Sequence, residues 1–552
     1  MNEANGNMAW VGSRLSRRAI LRGGLAGVMF AAGACRANAA LAPEISVREF
    51  GARGDGVADD TRAFQAAVDS LRSGGTMQVP AGRYSVDMVR VRNRGVRVVL
   101  DEGATVIKRG RAGPESRGVF VLDGLQDAGF ELSGGTFDLN GEGPREIGRA
   151  GRIPNLYSHQ TIATVRGIAG PANSALFARR STGIAVTGVN IANSGENGLL
   201  FRNCGQVTVR GCTFGNITNY AVEFSFTDNV ADAGSGPMPR RNDVTVTDCH
   251  FEGIDDYALG SGNGGGIGGG GAGDLGGFRN YRIANCTFVR CHRDIHLEFG
   301  TGSWIEQFAI DNIRSVEPRQ GCIGLVAARN GVISRITITD PGSAPAALLI
   351  PARPEIFGIV LSSDFSDIVL RDITITDSRS GRQFLGQAAS IDRGSRVLTV
   401  PQATFSAEDA GSWLGIAGGN PGGAAYVGRI ARVISSRQVE LDLPAGATIR
   451  GGRFAVGGAA RNGIILNHGS DVTLENVRIV AGSAADAPGM NDAAAIRMQD
   501  MTGTVSFSNV VLGAPAGTWA KPAGLLVLRN RARLVGADGI SATGFARGRV
   551  ER

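Results

Sequence analysis

Hydrophobic positions in this chain recur in short alternating runs, not in helical stripes. From about residue 90 to 380 the runs are flanked by Gly, Asn and Asp. Such runs predict short strands joined by tight turns. Val186-Thr187-Gly188-Val189-Asn190-Ile191, Val209-Arg210-Gly211-Cys212-Thr213-Phe214, Val246-Thr247-Asp248-Cys249-His250-Phe251 and Ile283-Ala284-Asn285-Cys286-Thr287-Phe288 are one motif written four times. The copies start 23, 37 and 37 residues apart. The two longer intervals hold insertions near 228–242 and 261–277, and removing them leaves one coil of a solenoid. A single coil cannot bury its inward face, so the core closes only when coils stack. Stacking sets Cys212, Cys249 and Cys286 in one column and Ile191, Phe214, Phe251 and Phe288 in another. Buried Cys of this kind are compact hydrophobes. Coils about 4.8 Å apart make a disulfide within the column awkward. Cys204, Cys291 and Cys322 are left open.

The two ends read differently. Ile45 to Gly56 is a strand running into a Gly/Asp turn, after which Ala63, Phe64, Ala67, Val68 and Leu71 recur at helical spacing. Asp59 or Asp60 is the expected N-cap. Gly74-Gly75 ends the helix, and a strand starts at Met77. Farther on, Gly358-Ile359-Val360-Leu361 is echoed by Gly463-Ile464-Ile465-Leu466 about 100 residues later. Residues 386–457 fill that gap with a separate β pattern. The expected fold is all-β: a single-stranded right-handed parallel β-helix with an N-terminal capping helix and an inserted small β domain. The expected segments are an export signal at 1–39, first coils at 40–385, the inserted module at 386–457, and last coils with a cap at 458–552.

Phe50-Gly51-Ala52-Arg53-Gly54-Asp55-Gly56, Asp59-Asp60-Thr61, the amphipathic helix, and Gly74-Gly75 through Pro80, Gly82 and Tyr84 together resemble the opening of the pectate-lyase-like superfamily. Polygalacturonases, rhamnogalacturonases, alginate epimerases and phage tailspikes share it. The resemblance covers about 40 residues and implies architecture rather than one chemistry. Asp55, Asp59 and Asp60 read as turn and cap residues. The inserted segment resembles a β module found beside tailspike-type helices.

Composition narrows the class. The chain has 552 residues, 83 of them Gly, with 43% hydrophobic and 19% charged residues. It can therefore fill a large core and is not disordered. The net charge is +7, of which residues 1–39 supply +4 through five Arg and one Glu. No basic run is interleaved with aromatics, so no nucleic-acid partner is expected. Lys108 and Lys521 are the only lysines, which leaves cationic work to Arg. Ser16-Arg17-Arg18-Ala19-Ile20-Leu21-Arg22 resembles a twin-arginine export motif. Ala37-Asn38-Ala39 follows as a cleavage site, and Cys35 is a weaker candidate for lipidation. The apolar stretch between them is too short and Gly-rich for an integral membrane span. A periplasmic or secreted protein is expected, of unknown oligomeric state.

Candidate chemistry comes from the segments after each repeat. Thr218 to Glu223, Asp255 to Gly260 and Arg293 to Glu298 align, and strand alternation sends Glu223, His296 and Glu298 outward. Asp255, Asp256 and Asp294 join them, giving an acid patch with one His and one Arg. Crowded carboxylates raise one another's pKa, which suits general-acid work. Gly253-Ile254-Asp255-Asp256-Tyr257-Ala258 also resembles the catalytic segment of polygalacturonase-type hydrolases, and Gly134-Gly135-Thr136-Phe137-Asp138 resembles an earlier motif of theirs. The resemblance implies an inverting acid/base pair at Asp255 and Asp256. The family's N-x-D, G-H-G and R-x-K elements are missing. Arg293, Tyr257 and Tyr220 are the expected substrate-binding residues. Three readings stay open: hydrolysis of an acidic polysaccharide, which the Asp255-Asp256 segment favours over elimination; β-elimination with Arg293 as the cation and Ca²⁺ on the aspartates; and a non-catalytic polysaccharide-binding or envelope protein whose acids form a solvated turn ladder. No other cofactor is expected. The run Gly260 to Gly277 reads as a mobile flap or plain insertion. His159, His250 and His468 read as structural or surface residues.

Overall fold

A computed structural model describes residues 42–109, 118–141, 174–227, 242–255, 264–272, 275–300, 302–342, 357–377, 384–417, 426–457, 462–480, 494–514, 523–545 and 547–552. The export motif, Cys35, Asp256, Tyr257 and His159 lie outside the described residues. Ala42–Arg552 is one compact unit.

Its strands pair in parallel, coil on coil, as a β-helix. One wall shows the register plainly: Leu199 pairs with Val222, Val222 with Ile267, Ile267 with Ile295, and Ile295 with Ile323. All five point inward and are buried. The strands that lead into this wall carry the aromatic column expected from the repeats. Phe214 stacks on Phe251 at 4.9 Å between ring centroids, and Phe251 on Phe288 at 4.5 Å. The parallel spacing of coils sets that distance, and the rings fill it. Cys204, Cys212, Cys249, Cys286, Cys291 and Cys322 are all buried and free. Burial pushes the Cys204 thiol up to about 12, so it behaves as a small apolar group.

Turns are held by polar ladders. Asn193 donates to Asp138 and Asn216 to Asn193, while on another stretch Asn285 donates to Asp248 and Asn312 to Asn285. Asn193, Asn216, Asp248, Asn285 and Asn312 all have φ between 53° and 59°. Asn and Asp enter this left-handed region more easily than other side chains, which explains their recurrence at these two turns of the coils.

The helix Thr61–Ser70 caps the first coils, burying Ala63, Phe64, Ala67 and Val68. Asp60 stands at its N-cap, yet its carboxylate accepts from the Arg53 and Gly54 amides; Asp59 accepts from Thr61 instead. Asp55 accepts from Val57 and Ala58. All three are turn and cap residues. At the other end Arg533–Val535, Ser541–Thr543 and Arg549–Glu551 pair with the preceding coils. Between Phe357–Thr376 and Asn462–Val480, which pair with each other, the chain forms a closed antiparallel barrel running from Phe384–Ile391 to Ile449–Val456 with its own core.

Two expectations fail. In its described residues the Gly-rich run is no flap: Gly265–Ala272 is a strand of the solenoid paired with the coils before and after, and Gly276–Arg279 pairs with the coil after. The alignment of Asp255 to Gly260 with Thr218 to Glu223 and Arg293 to Glu298 also fails: Glu223 pairs with Gly268, and Gly268 with His296. The aligned block at 255–260 was mistaken for the strand that Gly265–Ala272 provides.

Candidate active site

The Gly-rich strand lies between the two coils that carry the chemistry. Glu223 pairs with Gly268, and Gly268 with His296. Glu223 and His296 thus share one outward column, about 9.6 Å apart by strand spacing. Tyr220 belongs to the coil of Glu223, yet its Oη lies 3.2 Å from His296 Nδ1, two coils on. The ring can cross only because Gly268 has no side chain. A Cβ there would sit 2.3 Å from the Tyr220 ring. Beyond the site, Gly324 pairs with His296, and a Cβ at Gly324 would come within 3.1 Å of the imidazole. Glycines therefore flank the coil that carries Arg293 and His296.

Arg293 lies beside the imidazole. Its Nη1 is 3.0 Å from Nδ1 and 3.1 Å from Nε2, and its Nε donates to Gln320 Oε1 at 2.6 Å. Burial first, and then the Arg293 charge, hold His296 well below the ordinary histidine range. The ring is neutral at neutral pH. Burial raises the Tyr220 phenol, which remains protonated. Glu298 is 65% exposed, with Oε2 at 3.6 Å from His296 Nε2. Glu298 does not stack on Glu223; it lies two residues past the column, opposite Gly270.

Tyr220, Glu223, Arg293, His296 and Glu298 thus converge on the outer wall. Asp294 does not. At the entry of its strand the alternation breaks, and Asp294 and Ile295 both turn inward. Asp294 is 1% exposed, and no partner meets either carboxyl oxygen in hydrogen-bond geometry. Burial pushes its pKa up to about 8, with the Ser315 hydroxyl and Cys322 thiol as neighbours that pull the other way. Asp255 is also buried, and its Oδ2 accepts from the Gly264 amide at 2.9 Å. It closes a turn. Asp256 and Tyr257 lie outside the described residues. Asn219 donates to Asn197, and Asn197 also accepts from the Tyr220 amide, so both are polar turn neighbours. Asp138 caps a ladder. His250 and His468 lie on the surface against Glu252 and Asp500. Among the described residues no group of three or more His, Cys, Asp or Glu converges as an ion site.

Sequence reasoning missed Gly268 and Gln320. Ile267 was the signal for the first: one buried apolar residue within a Gly run marks a strand. Gln320 gave no signal, because it reaches Arg293 from another coil.

The fold defines the class, a pectate-lyase-like parallel β-helix. Residues 44–136 match the family model described as rhamnogalacturonase A/epimerase, pectate lyase-like. Among curated proteins, the plasmin and fibronectin-binding protein A of Streptococcus pneumoniae is 32% identical over 132 residues, 22% of this chain and 18% of that one. The mannuronan C5-epimerase AlgE1 of Azotobacter vinelandii is 53% identical over 45 residues, 8% of this chain and 3% of that one. The chain thus spans under a fifth of these relatives' lengths. The solved Streptococcus pneumoniae surface protein and adhesin PfbA has a TM-score of 0.51 at 15% identity, covering 85% of this chain and 96% of that chain. At that identity the likeness concerns the fold.

Proposed function

We propose that this protein acts outside the cytoplasm on an acidic polysaccharide, removing the proton alpha to a uronate carboxylate. The carrying observation is the contact of a neutral His296 with both Tyr220 and Arg293 on one outer wall. Arg293 pairs with the substrate carboxylate and disperses the charge that grows there as the proton leaves. Neutral His296 is the base. With Nδ1 protonated and donating to Tyr220 Oη, the Nε2 lone pair, released as Arg293 turns from it to the substrate carboxylate, takes the proton from carbon. In elimination the electron pair left on carbon forms the double bond, the glycosidic C–O bond breaks, and the Tyr220 hydroxyl gives its proton to the leaving oxygen. The likeness to named epimerases over 45 residues supports an acidic sugar. The twin-arginine motif and the likeness to a surface protein support export.

A second reading, a non-catalytic binding protein of the cell surface, is favoured by the likeness to an adhesin. Incubation with polygalacturonate, alginate and bacterial exopolysaccharide, with and without Ca²⁺, separates the readings. Unsaturated uronate product, detected by absorbance, is expected, and His296→Ala should lower its rate by about 100-fold or more. New reducing ends without unsaturation, abolished in Asp255→Asn/Asp256→Asn, would overturn elimination in favour of hydrolysis. Binding without any product would select the second reading.

A further inference from the structure

The inserted barrel touches the coil that holds Arg293. Arg319 is 1% exposed and is the largest fully buried side chain among the described residues. Its guanidinium carbon lies 4.5 Å from the ring centre of Trp413, a barrel residue on Trp413–Ile416. Arg429, from the facing barrel strand, packs on the same ring at 4.4 Å, and its Nη2 lies 3.8 Å from Glu317. One indole thus engages one cation from the β-helix and one from the barrel.

Glu317 to Gln320 form the turn between Ser303–Val316 and Gly321–Val326. The barrel leaves the solenoid at the same corner, after Phe357–Thr376, two coils farther on. It folds back over the turn. The residue after Arg319 is Gln320, whose side chain holds Arg293 by Nε. The backbone of this turn is tied one coil back, with the Arg319 amide on Cys291 O and the Gln320 amide on His292 O. These bonds fix where the turn lies.

We propose that the barrel is a positioning element for the site: Trp413 seats Arg319, which orients the 317–320 turn so that Gln320 holds Arg293 against His296. Trp413 touches no site residue directly; it acts through Arg319 and Gln320. The inference rests on the reading of Arg293 and His296 as the site, but its test does not require turnover.

The test is an NMR titration of the imidazoles in the full-length chain, which has only five His. His296 is assigned by its loss in His296→Gln. The groups that face this imidazole are Arg293 and His292, together with Glu298 and Tyr220. If Trp413→Ala frees Arg293 from its place, the His296 midpoint rises by about half a pH unit or more, because the cation opposing protonation has moved away. Gln320→Ala should raise it likewise, and Trp413→Phe, which keeps an aromatic face, should restore most of the native midpoint. A lower melting temperature in Trp413→Ala with an unmoved His296 midpoint would overturn the proposal, since a merely structural contact predicts that result. Should Trp413→Ala fail to fold, Arg319→Met, which keeps an apolar stem but removes the cation that Trp413 seats, is read in the same way: a raised midpoint supports the proposal and an unmoved one overturns it. An inactive wild type that shows the expected shifts would sink the proposed function and leave this coupling standing.

Discussion

At the scale of single residues, the site depends on side chains that are missing as much as on those present. Gly268→Ala would set a Cβ 2.3 Å from the Tyr220 ring and push it away from His296. A displacement near 1 Å at a reacting group lowers rate by about 100-fold, so kcat should fall to that extent. The control is Gly215→Ala, whose Cβ would meet nothing closer than 3.9 Å and which should keep full activity. Equal activity in the two variants would remove Tyr220 from the site.

Asp294 is a residue-scale departure from a regular scheme. Elsewhere on this corner a small inward residue faces a large one: a Cβ on Gly266 would strike Phe288, and one on Gly358 would strike Ile375. Two coils lie between these: Ser315 stands in the large column between Phe288 and Ile338, and Asp294, which follows Gly266 in the small column, neighbours it from one coil back. The pair fills the space with polar atoms in place of an aromatic ring. Between the ordinary carboxylate value of 3.8 and about 8, the folded chain keeps a proton on Asp294 that the unfolded chain releases. Stability from this group therefore falls as pH rises through that window, by about 1.4 kcal/mol per pH unit at most. Asp294→Asn cannot release the proton. Its melting temperature should exceed that of wild type increasingly from pH 5 to pH 8, and the gap should close near pH 4. A constant gap across that range would show that Asp294 is not a buried acid.

At the scale of elements, the unit is the coil, and what holds coils in register is repetition of like on like. The stack Phe214, Phe251, Phe288 has interplanar angles of 5° and 6°, so each ring packs flat on the next. Removing the middle ring exposes both neighbours to a void. Phe251→Ala should destabilise by about 3–5 kcal/mol, read as a lower denaturation midpoint. A loss near 1 kcal/mol would mean that neighbouring coils collapse into the gap. The Asn and Asp ladders act with the stack at the turns. A ring fixes the spacing of two coils inside, and an amide pair fixes the same spacing at the surface.

At the scale of the whole molecule, the solenoid brings together residues far apart in the chain and separates some that are adjacent. Tyr220 and His296 are 76 residues apart and touch. Asp294 and Arg293 are consecutive, yet one faces the core and the other the outer wall. The barrel enters at a corner far along the chain and reaches back to the turn that holds Arg293. Repeats, the capping helix and the inserted module were all readable from the sequence, because each is written as a local period or a break in one. Glu223, His296 and Glu298 were readable as outward-facing for the same reason.

Period and pattern by themselves determined that this chain stacks coils, which columns are apolar, and where a second β module interrupts them. These follow from the alternation of strands and from the need of every inward face to be covered. Only the tertiary structure decided which coil follows which, because insertions of different lengths hide the register; the Gly-rich strand was misread for that reason. It also decided that Asp294 turns inward and that Gln320 and Gly268 shape the site. A bend at a strand entry, a contact from another coil and an absent side chain leave no periodic trace in the order of residues.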